Sequence, residues 1–448
     1  MTVTSPAEFV RGKYQLARYE PGSAATGRRL TEHEVLSAYG KGVVTELDAE
    51  GAAVLLASEG AIERAITTRR ADLGVTPAEL ASAAGVTAED VALAEADAHQ
   101  LELRAIERIA FVLGLDPMRL SFDEDAGADS DLGMRLRVLE TDAGGGVRLN
   151  HKAVLCFTEA ASIIATQLRL QQWLAKPEEA SAFEPSSDYG PPAWRAGYQL
   201  AGQARKRLGL GDRPIESMRD LVEQRLGIPV IQAQLPASIA GATISSHGRR
   251  GIVLNTRGRN KHVWIRRTTL AHELGHILFD PEERLSRVRV DAYADLARNA
   301  ERDQLPDDVE SRANAFAVEF LAPMAAVKRL VPDVADVSAA RVGEVMSTFG
   351  IGRAAARYHV SNAWWKQADL PPEQAIRAQP TDEQKGAEDF TLDFFPIGGV
   401  ADQRRGRFAV LAAEAVDSGL ITADTAAQNL ACAETDVADA LPFLLELG

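Results

Sequence analysis

The sequence holds little cysteine, no excess of positive charge and no long apolar run. Only Cys156 and Cys432 occur among 448 residues. They lie far apart in apolar helical contexts, so a disulfide framework and a cysteine-rich metal site are both excluded. Both thiols are expected to be small core residues in a reducing compartment. The formal charge is −15, which argues against a general nucleic-acid coat or a binder of anionic membranes. No stretch of about twenty apolar residues is present, and the first residues lack a basic segment followed by an apolar one. A cytoplasmic protein without a membrane span is therefore expected. Its length allows two to four domains.

Against this background one stretch stands out: Thr268-Thr269-Leu270-Ala271-His272-Glu273-Leu274-Gly275-His276-Ile277-Leu278-Phe279. It contains no proline and reads as a helix. Positions i and i+4 lie one above the other on a helix face, so His272 and His276 can aim two imidazoles at one ion. Glu273 is rotated by one residue and can reach water beside that ion without ligating it. This spacing suits a zinc hydrolase. The plain alternative is a buried helix with two satisfied core histidines. A third ligand would argue against it, and Glu310 is the best candidate. It opens a second amphipathic helix in which Ala313, Phe316, Ala317, Phe320 and Leu321 repeat at helical spacing. Asn314 shares its face and suits an amide that orients a ligand histidine. Alone, Glu310 would read as a solvated first-turn acid. Glu282, Glu283 and Glu301 are poorer candidates, because no helical pattern fixes them. Imidazole and carboxylate donors favour Zn²⁺ over Mn²⁺.

These residues carry a resemblance. Thr-Leu-Ala-His-Glu-Leu-Gly-His, then Glu-x-x-Ala-Asn-x-Phe-Ala and Leu-x-Pro, resembles the ImmA/IrrE family of metallopeptidases over roughly 195–365. Gly227-Ile228-Pro229-Val230, Ile239-Ala240-Gly241 and Ile252-Val253-Leu254-Asn255 resemble its short strands. The resemblance implies a zincin-like fold, with His272, His276 and Glu310 as ligands and Glu273 as base. It also implies a helix-turn-helix repressor as protein substrate, cut to switch genes on. That places the chain in transcription regulation and stress response.

Read in order, residues 1–58 form an N-terminal helical extension without assigned function. Residues 60–121 resemble an XRE-type helix-turn-helix domain through Arg70, Leu80, Ala81, Gly85, Val86 and Glu95. Its would-be reading helix, 88–97, has no Arg, Lys, Asn or Gln to bond a base edge. Over 60–120, six basic residues face ten acidic ones, so the unit is poorly equipped to neutralise phosphates. A protein contact is at least as good a reading. Residues 122–192 are a linker and a bridging or dimer helix, which with the other helical units makes a homodimer the expected assembly. Residues 193–335 are the metallopeptidase domain. Thr243-Ile244-Ser245 is the candidate edge strand for substrate, and His262, Arg267, Tyr358 and His359 are candidate oxyanion donors. Residues 336–367 form a helix-turn-helix-like subdomain whose Arg353 and Arg357, like Arg70, are candidate DNA contacts, with DNA a candidate partner. Residues 368–403 read as a linker whose Phe390–Phe395 cluster docks onto the catalytic domain, and 404–448 as a small helical domain. The fold class is α+β and predominantly helical, a zincin-like domain with a small sheet flanked by helical units. The competing reading is a DNA-binding regulator whose metal domain is sensory or structural.

Overall fold

A computed structural model describes residues 7–21, 26–129, 132, 149–185, 190, 192–281, 285, 289–292, 308–364, 367, 369–388 and 395–447. The fold is α+β and predominantly helical, with two four-stranded sheets among the described residues. The chain divides into two compact units: 1–176 with 245–249 and 391–448, and 177–244 with 250–390.

The first unit begins with a sheet, which corrects the helical reading of 1–58. β1 (Phe9–Arg11), β2 (Gln15–Arg18), β3 (Arg28–Leu30) and β4 (Ala52–Val54) form an antiparallel sheet in the order β3-β1-β2-β4. One long helix, α1 (Glu32–Glu50), lies between β3 and β4 and starts at the Thr31–Glu34 capping box. Phe9, Leu16, Leu30, Val35, Leu47 and Leu55 form its core with Met118. Four short helices follow: α2 (Ala61–Asp72), α3 (Pro77–Ala84), α4 (Ala88–Ala96) and α5 (Leu103–Val112). α3 and α4 each begin at a threonine capping box, the sequence signature of a helix start. The helix α6 (His151–Trp173) is a core element and not a bridge. It packs on α3 and α5. Among the described residues α6 is the one helix long and apolar enough to cross a membrane, and 72% of its apolar window is buried in the protein.

The second unit opens with α7 (Ala193–Arg207) and holds β5 (Val230–Ala233), β6 (Ile239–Ser246) and β7 (Arg249–Asn255). Then come α8 (Val263–Phe279), β8 (Arg289–Ala292), α9 (Asp308–Leu321), α10 (Met324–Leu330), α11 (Ala339–Phe349), α12 (Arg353–Ala363) and α13 (Asp382–Ala387). The sheet order is β5-β7-β6-β8, with β5 parallel to β7 and β8 antiparallel to β6. β6 therefore lies between two strands. The expectation that Thr243–Ser245 forms a free edge is corrected at Thr243, which pairs with Arg289 of β8. α8 is buried at every position from Thr269 to Phe279, as a central core helix must be. Leu270, Leu274 and Leu278 share one core with Phe316 and Phe320 of α9.

Two further boundaries move. Val342, Val345, Met346, Phe349, Ile351, Ala356 and Val360 join the same core, so the described part of 336–367 belongs to the second unit. So does much of the expected linker. Ile376 is buried in that core, and Glu388 is buried against Arg267 while accepting from the backbone N–H of Met218 and Arg219. The Phe390–Phe395 cluster lies outside the described residues, apart from Phe395.

The chain then returns to the first unit with α14 (Arg407–Asp417), α15 (Ala423–Leu430) and α16 (Glu434–Leu445). These are not a separate domain. α14 packs on α6 and α15 on β3 and α5. Arg404 pairs with Glu159 of α6 at 2.7 Å, and Thr422 N–H donates to the buried Glu34 of α1.

Candidate metal centre

The site is built by two helices. The i, i+4 spacing on α8 brings Nε2 of His272 to 3.1 Å from Nε2 of His276. Glu310, in the first turn of α9, places Oε2 3.3 Å from His272 Nε2 and Oε1 3.7 Å from His276 Nε2. One donor atom from each residue fits within a mutual distance of 4.8 Å. Two imidazole nitrogens and one carboxylate with a further open position is the donor set of a catalytic zinc site. The residues present therefore fit a divalent ion.

Close packing sets this geometry. A Cβ on Gly275 would lie 2.9 Å from the Phe316 ring, so glycine lets α9 approach α8 closely beside the ligand face. A Cβ on Gly197 of α7 would lie 2.3 Å from the carbonyl oxygen of Arg312 and 2.8 Å from Cβ of Ala315. Only a glycine allows α7 and α9 to cross that closely.

The electrostatics favour paired charge at the centre. Burial opposes a proton on His276, but hydrogen bonds to Asp280 and Glu310 prevail and raise its pKa to about 9. Burial alone would raise Glu310, but contact with both imidazoles holds its carboxyl far below the usual range. His276 donates from Nδ1 to Asp280 Oδ2 at 2.8 Å, and Asp280 is in turn paired with Arg312 of α9. The donation holds one proton on Nδ1, so a metal would displace the second proton, on Nε2, and take that lone pair. Asp280 and Arg312 were not among the sequence candidates. The signal in the sequence was spacing: Asp280 follows His276 by four residues, which on a helix puts the acid beside that imidazole.

Glu273 is fully buried beside this group, and its Oε2 accepts from the Thr243 hydroxyl at 2.8 Å. Gly241 lies on the same face of β6, where a Cβ would sit 3.0 Å from Glu273 Oε1. The strand thus fixes the carboxylate and keeps it out of the ligand set.

The other sequence candidates lie elsewhere. Asn314 is half-buried and makes no hydrogen bond to either histidine among the described residues; the orienting group is Asp280. His262 precedes α8, ten residues before His272, which is about 15 Å along a helix axis. It is too distant to serve an oxyanion. Arg267 is consumed by Glu388 and by the carbonyl oxygens of Ile215 and Glu216. His359 is buried and bridges Tyr198 Oη, at 2.9 Å from Nδ1, and the Ala322 carbonyl, at 2.6 Å from Nε2. Burial lowers its pKa to about 4, as befits a neutral structural histidine. Tyr358 is exposed, with the Arg357 guanidinium over its ring. Arg357 also donates to the Pro371 carbonyl at 2.9 Å. Arg353 sits beside His262, and its charge together with burial lowers that histidine's pKa. Arg70 turns inward, bonding Glu95 with two nitrogens and the Val75 carbonyl with a third. It frames the helices and does not face a phosphate. Glu282, Glu283 and Glu301 lie outside the described residues.

No curated protein matches the chain. Residues 223–361, less than half of it, match the family model of the IrrE N-terminal-like domain, a peptidase family. The segment that carries His272, Glu273, His276 and Glu310 is thus similar to the IrrE N-terminal-like domain, a metallopeptidase family.

Proposed function

We propose that this chain is a zinc-dependent endopeptidase that cleaves a helix-turn-helix repressor or antitoxin-like partner and so switches gene expression. The observation that carries this reading is the convergence of His272, His276 and Glu310 within 4.8 Å, with Glu273 beside them and held by Thr243. His272, His276 and Glu310 would hold the ion. When bound, it supplies Lewis acidity for a peptide carbonyl and makes water acidic enough to ionise near neutral pH. Glu273 takes the proton from the attacking water and returns it to the departing amine, a role worth about 10²–10⁴ in rate. Asp280 keeps the proton of His276 on Nδ1 throughout. The dry walls of α8 and α9 strengthen each of these interactions. The inward Arg70 and the acidic first turn of α4 support a protein contact for the N-terminal helices in preference to DNA reading.

The test is incubation of the zinc-loaded chain with candidate helix-turn-helix repressors. Specific fragments should form, and Glu273→Gln should keep zinc while abolishing them. Fragments formed at the parent rate by the variant would overturn the proposal. Unchanged promoter control by Glu273→Gln would instead favour a DNA-binding regulator whose metal domain is sensory or structural.

A further inference from the structure

β8 lies where a substrate strand would lie. Gly241 and Thr243, two residues apart on β6, both approach the Glu273 carboxylate. The backbone between them is therefore the part of the sheet nearest the proton-transfer group. An extended peptide binds such a strand by adding to its open side through backbone hydrogen bonds. In this chain that side is taken. Arg289 pairs with Thr243, Val290 with Ala242 and Asp291 with Gly241, antiparallel. Adjacent strands lie about 4.8 Å apart, so residues 289–291 run one strand spacing from the segment that fixes the base. The ladder carries a register shift between Ile239, which pairs with Ala292, and Gly241, a feature common beside active sites. β8 also belongs to the connection between α8 and α9, the two helices that bear the ligands.

We propose that Arg289–Ala292 is an internal stand-in for substrate, an autoinhibitory strand that must leave β6 before an extended peptide can bind across Glu273. This rests on the peptidase reading and adds its regulation. The exchange replaces one set of ladder hydrogen bonds with another, so a partner that offers a longer extended segment displaces a strand of only four residues. The substrate class that follows is a protein segment able to become extended and to pair antiparallel with β6. A folded helix does not qualify.

The test locks and loosens the strand in the full zinc-loaded chain. Ala242→Cys with Val290→Cys, in a background lacking Cys156 and Cys432, places two thiols directly opposite, at a separation that suits a disulfide. Two rates are read: zinc removal by EDTA and hydrolysis of fluorescein-labelled casein as an unfolded probe. Oxidation should slow both by about tenfold and reduction should restore them, the scale of one or two backbone hydrogen bonds. In separate chains, Val290→Pro and Asp291→Pro should differ. Successive N–H groups point to opposite sides of a strand, so one proline removes a ladder bond and the other does not. The disruptive one should accelerate both rates. Equal rates in the locked and reduced forms would overturn the proposal. Slowed zinc removal without casein hydrolysis in any form would keep the strand over the site and refute the peptidase reading instead.

Discussion

Replacing Asp280 with asparagine isolates how much the metal centre depends on a residue that never touches the ion. Asp280 is fully buried; its Oδ2 accepts from His276 Nδ1 at 2.8 Å and its Oδ1 pairs with Arg312. Asparagine keeps the shape but has one oxygen and one amide. If the amide faces Arg312, donors oppose each other. If it faces His276, the imidazole must accept at Nδ1 and carry its proton on Nε2, which blocks coordination. Loss of such an outer partner costs about 10–100-fold in metal affinity, or about 1.4–2.7 kcal/mol. Depriving the buried Arg312 of its carboxylate should also cost about 3 kcal/mol in stability. Pairing Asp280→Asn with Arg312→Gln separates the effects: stability should return while zinc affinity stays low. Zinc affinity is measured by competition with a chromophoric chelator, and stability by chemical denaturation of the metal-free chain. Parent-like zinc affinity in the single variant would refute the reasoning.

Gly197→Ala should push α7 away from α9, because its Cβ would meet the Arg312 carbonyl oxygen at 2.3 Å. A loss of about 1–3 kcal/mol is expected, with weaker zinc binding as Glu310 shifts; unchanged melting and zinc titration would contradict the close crossing. Burial raises the pKa of Glu319 to about 7 and lowers that of His359 to about 4. The folded chain disfavours charge on both. Glu319 therefore costs stability as pH rises from its unfolded value through 7, and His359 costs it as pH falls from about 6.5 toward 4. Glu319→Gln removes the first effect, so the variant should gain roughly 2 kcal/mol on the parent between pH 5 and pH 8. Denaturation midpoints that keep a constant offset across that range would refute it.

The sequence made the metal helices legible because their chemistry is local. His272, Glu273 and His276 fall within one and a half helical turns, and the apolar repeat of α9 set Glu310 at a helix start. What escaped depends on contacts distant in sequence. β1 and β3 are three-residue strands, Phe-Val-Arg and Arg-Arg-Leu, too short to show alternation. Their arginines look like surface residues until Glu107, on α5, pairs with Arg11 at 2.9 Å and Arg28 at 3.3 Å. The stretch before Glu388 reads as linker because its composition is polar, yet its burial is decided by Arg267 on α8. The oxyanion candidates failed because residue type alone cannot place a side chain: His359 has suitable chemistry but serves Tyr198 and Ala322. β8 has no pattern of its own and is defined only by pairing with β6.

Zinc-edge X-ray absorption on the zinc-loaded chain tests the central claim most directly. Scattering from two imidazole nitrogens at about 2.0–2.1 Å, with the remaining donors oxygen at about 2.0–2.2 Å, is the expected shell, and Glu310→Ala should change its oxygen part while leaving both imidazoles. A shell without imidazole scattering, or one untouched by that substitution, would contradict the site.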